Sequence, residues 1–239
     1  MFTIKIAGLN ISIDNKYPGV ERLCRDYIVD VPQSECDMSV AVSEDDVSRE
    51  VTTASEPVSR SYAESLCIYR AICSRLPEFE AFLLHAAVVE VDGVAYAFTA
   101  KSGTGKTTHI TLWKKLLGDR VKIINGDKPI IRFHDGTPYA YGTPWCGKEG
   151  YNVNTRAPLS ALCFVERAEE NRIAPFGGQQ MLGRLMGQIL IPRSADEIIR
   201  LTSLLDRLVR TVPCYLLGCN MDIEAARVAY DGMRQGGAQ

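Results

Sequence analysis

The sequence predicts an α/β fold with a mixed, partly antiparallel central sheet and flanking helices. Residues 94–98 are a short apolar, β-prone run, and apolar side chains recur at helical spacing between positions 110 and 117. Residues 82–91 form a nearly continuous apolar run, which is typical of a buried strand. Asp92-Gly93, between the two apolar runs, is a strong hairpin signal. The strand over 94–98 is therefore expected to pair antiparallel with the strand before it.

A glycine-rich segment, Ala100-Lys101-Ser102-Gly103-Thr104-Gly105-Lys106-Thr107-Thr108, lies between the predicted strand and helix. We name it the phosphate loop, since such a turn before Gly-Lys-Thr is the pattern of a nucleoside triphosphate site. Its glycines let backbone N–H groups approach phosphate oxygens. Lys106 supplies a cation to the β- and γ-phosphates, and Thr107 a hydroxyl to Mg²⁺. Ala100 stands where the full pattern has its first glycine. The predicted nucleotide-binding residues are Ser102, Gly103, Thr104, Gly105, Lys106, Thr107 and Thr108.

The N-terminal part has the pattern of a small β-rich lobe over residues 1–57. Two alternating runs around Gly8 predict a hairpin over 2–13, and residues 38–42 predict another strand. The acidic, Ser/Thr-rich stretch 43–57 is expected to be a loop. A helix is expected to follow, with a capping box at Ser61 and Glu64, and to end near Pro77. Residues 58–239 are assigned to a nucleotide-binding domain.

Strands and helices alternate after the phosphate loop. Strands are predicted at 121–124, 159–165 and 212–217, and a hairpin at 130–141. Helices are predicted at 179–190, at 195–210 and after Asp222, with fraying at the last four residues. The strand over 159–165 is expected to be central because its residues are nearly all apolar.

Composition limits the functional classes. The chain has 239 residues, 46% of them hydrophobic, which suits one large domain or one domain with a small appendage. A net charge of −2 argues against a nucleic-acid partner. No apolar run approaches the ~20 residues of a membrane span, and the N-terminus lacks a signal-peptide pattern. The eight cysteines form no Cys-x-x-Cys pair, so free thiols, no zinc site and a cytoplasmic location are expected.

Asp127 is the predicted metal-holding and catalytic carboxylate. It lies one short turn after the predicted strand 121–124, a position from which it reaches Mg²⁺ beside the phosphate loop. The alternative is an ordinary turn aspartate before Lys128-Pro129. His85 lies within an apolar run and is either a core residue or a site residue.

The loop over residues 142–151 is a candidate for substrate contact. It places Trp145 and an opposite-charge pair, Lys148 and Glu149, on backbone expected to be flexible. Arg156, a few residues later, is a candidate for neutralising phosphate charge. Each of these charges is equally compatible with ordinary surface.

These features together resemble the HPr kinase/phosphorylase catalytic domain and, more distantly, the ATP-dependent phosphoenolpyruvate carboxykinases. The shared order is His85, an Asp-Gly hairpin, a strand, the phosphate loop, a helix, a strand and Asp127. The resemblance covers residues 80–135 and implies this type of phosphate-loop fold, ATP and Mg²⁺ as ligands, and catalytic roles for Lys106, His85 and Asp127. It also raises a homo-oligomer as an expectation. Both families carry paired aspartates after the strand, whereas this chain has Gly126-Asp127.

Two functions are compatible with these residues. The first is a Mg-ATP-dependent kinase that transfers the γ-phosphoryl group to a hydroxyl of a protein, peptide or small molecule. If the second aspartate is missing, Asn125, Asp127 or His85 has to act as the base. The second is a catalytically silent ATP-binding regulator or scaffold, which the single aspartate favours. A third interpretation, an incidental loop in a purely structural domain, predicts no measurable ATP affinity.

Overall fold

The computed structural model describes residues 1–235 as a mixed α/β protein; the fraying expected at 236–239 lies outside these residues. Its strands are β1 (Phe2–Ile6), β2 (Leu9–Asp14), β3 (Met38–Ala41), β4 (Ala81–Leu83), β5 (Ala87–Val91), β6 (Val94–Thr99), β7 (Val121–Asn125), β8 (Ile130–His134), β9 (Thr137–Tyr141), β10 (Arg156–Arg167), β11 (Arg172–Pro175) and β12 (Cys214–Cys219). Its α-helices are α1 (Pro18–Leu23), α2 (Glu44–Thr53), α3 (Arg60–Arg75), α4 (Lys106–Leu117), α5 (Gly178–Met186), α6 (Ala195–Thr211) and α7 (Ile223–Gln235). Strand β11 was not expected from the sequence.

The N-terminal strands form a sheet of their own. The predicted β1–β2 hairpin is confirmed, and β3 adds to β2 in parallel. The loop expected over 43–57 is wrong, because most of it is helix α2. Ser43 and Asp46 close a reciprocal capping box at its start, which satisfies backbone N–H groups that a helix leaves unpaired.

Helix α3 joins the N-terminal sheet to the rest of the chain. Its N-cap is Ser59, whose side chain accepts from the Tyr62 N–H, so the capping box expected at Ser61 is wrong. Glu64 is instead fully buried and accepts from the backbone N–H groups of Lys16 and Tyr17. Buried side chains from β1–β3, from α3 and from later strands form one hydrophobic cluster. A boundary near residue 57 stays a prediction, although the core is continuous across it.

The larger sheet carries the phosphate loop. Its strand order is β4-β8-β9-β10-β6-β5-β7, and β12 lies beside β10 with β11 beyond it. Strand β6 pairs antiparallel with β5 and parallel with β10, which confirms the predicted hairpin into the loop and the partly antiparallel sheet. Strand β10 is central, as predicted, since it pairs with β6, β9 and β12.

The apolar run 82–91 is not one strand, as the sequence suggested. It breaks between β4, which pairs with β8, and β5, which pairs with β6 and β7. At the break, the N–H of Leu84 donates to Pro129 O and the N–H of Ala86 donates to Asp127 O. These bonds curl the sheet and place His85 beside the turn that carries Asp127.

Helices cover both faces of this sheet. Buried side chains of α4 and α7 pack with one face, and those of α5 and α6 pack with the other. Within residues 1–235, no helix is both long enough and apolar enough to span a bilayer.

Candidate nucleotide site

The phosphate loop lies between β6 and α4, as predicted. Gly103 and Gly105 have φ values of +76° and +121°, which side chains rarely adopt, and a Cβ at either would meet nothing within 4 Å. The loop surface is therefore open to a ligand. Gly105 is the N-cap of α4 and offers no side-chain cap, so backbone N–H groups of the first turn keep the positive end of the helix available to an anion.

Lys106 extends from the start of α4 into the interior. Its residue surface is only 8% exposed. Its Nζ donates to Ala100 O at 3.2 Å and lies 3.2 Å from His85 Nε2. Burial lowers the pKa of Lys106, and the carboxylate of Asp127 acts in the opposite direction. A phosphate would therefore meet a cation that is largely desolvated, where charge attraction is strong.

Asp127 is the acidic centre of the site. Its Oδ1 lies 3.0 Å from His85 Nε2, and Oδ2 accepts from Lys128 Nζ. Burial alone would raise the pKa of Asp127, but hydrogen bonds from His85 and Lys128 outweigh it and hold that pKa well below its usual range. The carboxylate is thus ionised at neutral pH, the form that binds Mg²⁺ or orients a hydroxyl.

His85 sits between Lys106 and Asp127. Its backbone is fixed, because its N–H donates to Gln188 O at 2.7 Å and its carbonyl accepts from Thr99 Oγ1 at 2.9 Å. The ammonium of Lys106 only donates and an ionised carboxylate only accepts. Nε2 carries either a hydrogen, which it can donate to Asp127, or a lone pair, which can accept from Lys106. The protonation of Nε2 therefore decides which of the two residues His85 pairs with.

Asn125 orients the turn that carries Asp127. Its Oδ1 accepts from the N–H groups of Asp127 and Lys128 at 2.9 and 2.7 Å, and its Nδ2 donates to Thr143 O at 3.0 Å. Both ends of the fully buried side chain are engaged. The hypothesis that Asn125 acts as the base therefore does not fit, and its role is to fix the direction of the neighbouring carboxylate.

Gly126 leaves no room for a second aspartate. A Cβ there would lie 2.9 Å from Cys146 O and 3.4 Å from Tyr151 Cβ. The Gly126 N–H donates to Tyr151 O at 2.8 Å, which holds the 142–151 loop at this distance. The loop thus occupies the place in which a side chain would stand.

The 142–151 loop is anchored, not flexible as expected. Trp145 is buried, donates from Nε1 to Ser65 O at 3.1 Å, and stacks on Tyr69 with ring centroids 4.2 Å apart. Gly147 packs against Asp127, since a Cβ on it would lie 3.2 Å from Asp127 Cβ. The loop therefore covers one side of the carboxylate.

The structure separates the three predicted substrate residues. Lys148 and Glu149 are exposed and follow Gly147 directly, so they lie at the edge of the Asp127 site. Arg156 lies at the start of β10, eight residues before Phe164, which is the register partner of Thr99. Eight strand residues span about 26 Å. Arg156 instead donates to Tyr141 OH at 2.8 Å. The prediction that Arg156 neutralises phosphate charge at the loop is therefore wrong.

The other two histidines lie outside the Asp127 cluster. His109 packs in the core, where its Nε2 accepts from Trp113 Nε1 at 3.0 Å. His134 ends β8 beside the hairpin turn, within 2.6 Å of Tyr141 OH.

Two cavities border the phosphate loop. The larger, about 1160 Å³, lies between the start of the loop, the end of β10 and α5. The smaller, about 470 Å³, lies on the helix side of the loop, against the end of β10 and the segment after β12. Arg167 lines both, and its guanidinium donates to Gly103 O at 2.6 Å and to Thr104 O at 3.3 Å.

Two residues of this region, Lys128 and Arg167, were not predicted from the sequence. Lys128 lies next to Asp127 but carries no pattern of its own. Arg167 has a usable signal, because it ends a strand parallel to β6, and ligands bind at the carboxyl ends of such strands.

The loop and its surroundings fit a magnesium–nucleotide complex. Within residues 1–235, no hydrogen bond occupies the Thr107 hydroxyl, which is the expected Mg²⁺ ligand. That same part of the chain contains no group of three or more His, Cys, Asp or Glu side chains able to hold a metal. An ion here would thus depend on Thr107, Asp127, water and phosphate oxygens, the incomplete protein ligand set that Mg²⁺ commonly uses.

Comparisons with known proteins give similarities among solved structures only. No family model matches the chain, and no curated protein matches it. Among solved structures, the Hpr(Ser) kinase/phosphatase of Coxiella burnetii is similar with a TM-score of 0.37 and 10% sequence identity, over 64% of this chain and 97% of that one. A similarity this low indicates at most a distant relationship between the two folds.

Proposed function

We propose that the protein is a Mg-ATP-dependent kinase of the HPr kinase-like type, which transfers the γ-phosphoryl group to a hydroxyl of a protein, peptide or small molecule. One observation carries the proposal. The phosphate-loop lysine, Lys106, lies within hydrogen-bond distance of His85, which in turn contacts the ionised Asp127. A phosphate-binding cation and an acceptor-orienting carboxylate therefore adjoin, as phosphoryl transfer requires.

The nucleotide would be held by the backbone N–H groups of the loop and by Lys106, in the orientation of other phosphate-loop proteins. Thr107 and Asp127 are the residues that would hold Mg²⁺, with Thr108 next to Thr107 on α4. When bound, the metal neutralises charge on the β- and γ-phosphates. Lys106 adds to this neutralisation as the bond to the leaving oxygen breaks.

Asp127 would accept a hydrogen bond from the acceptor hydroxyl and align its oxygen with the γ-phosphorus. The new O–P bond forms as the bond from the γ-phosphorus to the β-phosphate oxygen breaks, and ADP leaves. The hydroxyl proton passes to Asp127 and then to solvent. Because the pKa of Asp127 is low, this transfer comes late, when bonding to phosphorus has made the hydroxyl strongly acidic.

The second candidate is an ATP-binding regulator or scaffold without transfer activity. The absence of space beside Gly126 favours it, since a paired carboxylate is excluded there. It shares the phosphate loop with the first candidate, so ATP binding alone does not separate them. Turnover with a hydroxyl acceptor does.

Lys106→Ala and Asp127→Asn test the proposal in an ADP-release screen with serine, sugars and short peptides as acceptors. We expect Lys106→Ala to abolish turnover, and Asp127→Asn to retain ATP binding by calorimetry while losing turnover by about 10²–10⁴-fold. Lys114→Ala, on the exposed side of α4, is the matched control and should behave as wild type. Thermal unfolding checks that each variant is folded.

Wild-type turnover in Lys106→Ala would contradict the kinase assignment. A wild-type protein that binds ATP but releases no ADP with any acceptor would support the regulator instead.

A further inference from the structure

The two cavities at the phosphate loop border different parts of the loop. The proposed function supplies the triphosphate, so the roles of the two cavities rest on that function. Lys106 Nζ, which reaches the β- and γ-phosphates in such loops, is directed to Ala100 O. Ala100 lines the larger cavity, together with the first half of the loop. The γ-phosphate end therefore faces the larger cavity.

The smaller cavity borders the other end. Gly105 and Thr108 line it, and neither lines the larger one. Thr108 follows the Mg²⁺-ligand position on α4, which is the side from which the chain of phosphates continues to the α-phosphate. A nucleoside attached to the α-phosphate would therefore lie next to the smaller cavity.

The lining of the smaller cavity suits an aromatic base. The surface of its walls is mainly apolar, although polar residues also line it, and its volume of about 470 Å³ falls in the usual range for ligand pockets, about 300–1,000 Å³. Met221 at its rim is 79% exposed, and a thioether makes favourable contact with an aromatic ring. Arg167 adds a planar guanidinium, which stacks on aromatic faces. The apolar lining residues are Leu112, Val165, Ala168, Cys219 and Met221.

His109, which also lines this cavity, has a ring nitrogen without a hydrogen-bond partner. The Trp113 N–H donates to its Nε2, so the ring hydrogen is assigned to Nδ1. Nδ1 is buried and has no partner in the described part of the chain. A buried donor without an acceptor is costly, and an acceptor on a ligand would remove that cost.

We propose that the smaller cavity, between α4 and the ends of β10 and β12, is the nucleoside site, and that the larger cavity receives the acceptor. The base lies against Leu112 and Met221, with Arg167 as the wall between the two sites. The acceptor approaches the γ-phosphate from the side of α5, where Gln188 lines the larger cavity. The Gln188 carbonyl accepts from the N–H of His85, which contacts Asp127, so this cavity borders the Asp127 cluster.

Ala168→Trp tests this assignment by filling the smaller cavity from an exposed position. Calorimetry compares MgATP with magnesium tripolyphosphate, which has no nucleoside. We expect Ala168→Trp to weaken ATP binding at least about tenfold and to leave tripolyphosphate binding within about twofold of wild type. Gln180→Trp, at the exposed edge of the larger cavity, is the matched control and should leave both affinities unchanged.

Retained tripolyphosphate binding also shows that Ala168→Trp is folded around its loop. The inference is overturned if Ala168→Trp binds ATP as wild type does, or if Gln180→Trp is the variant that loses ATP. If the wild type binds neither ligand, the proposed function itself fails, which is a different outcome.

Photolabelling provides a second measurement that needs no variant. 8-Azido-ATP bound to the wild-type protein should label the tryptic peptide 211–227, which contains Cys219 and Met221. Label in the peptide 173–184, which forms much of α5, would place the base in the larger cavity and refute the assignment.

Discussion

Replacing Gly126 by alanine tests whether the 142–151 loop is fixed against the turn that carries Asp127. The φ of Gly126 lies outside the left-handed region, so the conflict is one of space. The new Cβ would lie 2.9 Å from Cys146 O, and backbone cannot rotate away as a side chain can. Overpacking of this kind costs about 1–3 kcal/mol, and we expect the free energy of unfolding to fall by that amount.

Gly183→Ala is the matched control. Gly183 lies inside α5, where an added Cβ meets nothing within 4 Å. Alanine in a helix interior is favoured over glycine by about 0.5–1 kcal/mol, so this variant should gain stability. Because both substitutions restrict the unfolded chain alike, the difference between them isolates the contact with Cys146.

Urea unfolding at equilibrium, read by tryptophan fluorescence, measures both variants. Equal stabilisation by Gly126→Ala and Gly183→Ala would refute the account of the loop. The same measurement bears on function, because Gly147 packs on Asp127 beside the displaced Cys146 carbonyl. A loop forced outward should lower turnover while ATP binding stays near that of wild type.

Two further predictions concern Trp145 and His109. Trp145→Phe removes the hydrogen bond to Ser65 O and leaves a buried acceptor unpaired. We expect the free energy of unfolding, measured in urea, to fall by about 1–3 kcal/mol. An unchanged unfolding midpoint would show that the indole N–H does not anchor the loop. Burial lowers the pKa of His109 from 6.5 to about 4. The unfolded state therefore binds more protons between these values, and stability present above pH 6.5 is lost as pH falls towards 4, by about 3 kcal/mol. His109→Gln keeps an acceptor for Trp113 and should flatten this part of the pH profile measured by urea unfolding; an identical slope in both proteins would contradict the assignment.

Local signals were enough to predict the elements on either side of the phosphate loop. The Asp92-Gly93 turn fixed the hairpin, and Asp127 was placed after β7 because an apolar strand ended just before it. These features depend on residues close together in the chain. Helix α2 also had a local signal, the spacing of Ser43 and Asp46, but its acidic composition favoured a loop.

The features that shape the site depend on distant residues and were not predictable. The break at His85 requires bonds from the 84–86 backbone to the turn around Asp127, more than forty positions later, and no local pattern encodes them. Trp145 was expected to lie on flexible backbone, yet Tyr69 and Ser65 of α3 bury it. The position of Arg156 depended on the direction of β10, which sequence alone did not supply.

The position of Lys106 links nucleotide binding to the state of His85. In the structure its ammonium is satisfied by Ala100 O and lies at His85 Nε2, which also contacts Asp127. If Lys106 engages a phosphate as proposed, it stops competing for that nitrogen, and a protonated Nε2 donates to Asp127 alone. The carboxylate would then be held by His85 at the moment when an acceptor hydroxyl arrives. A single aspartate orientated in this way would offset part of what a second carboxylate supplies.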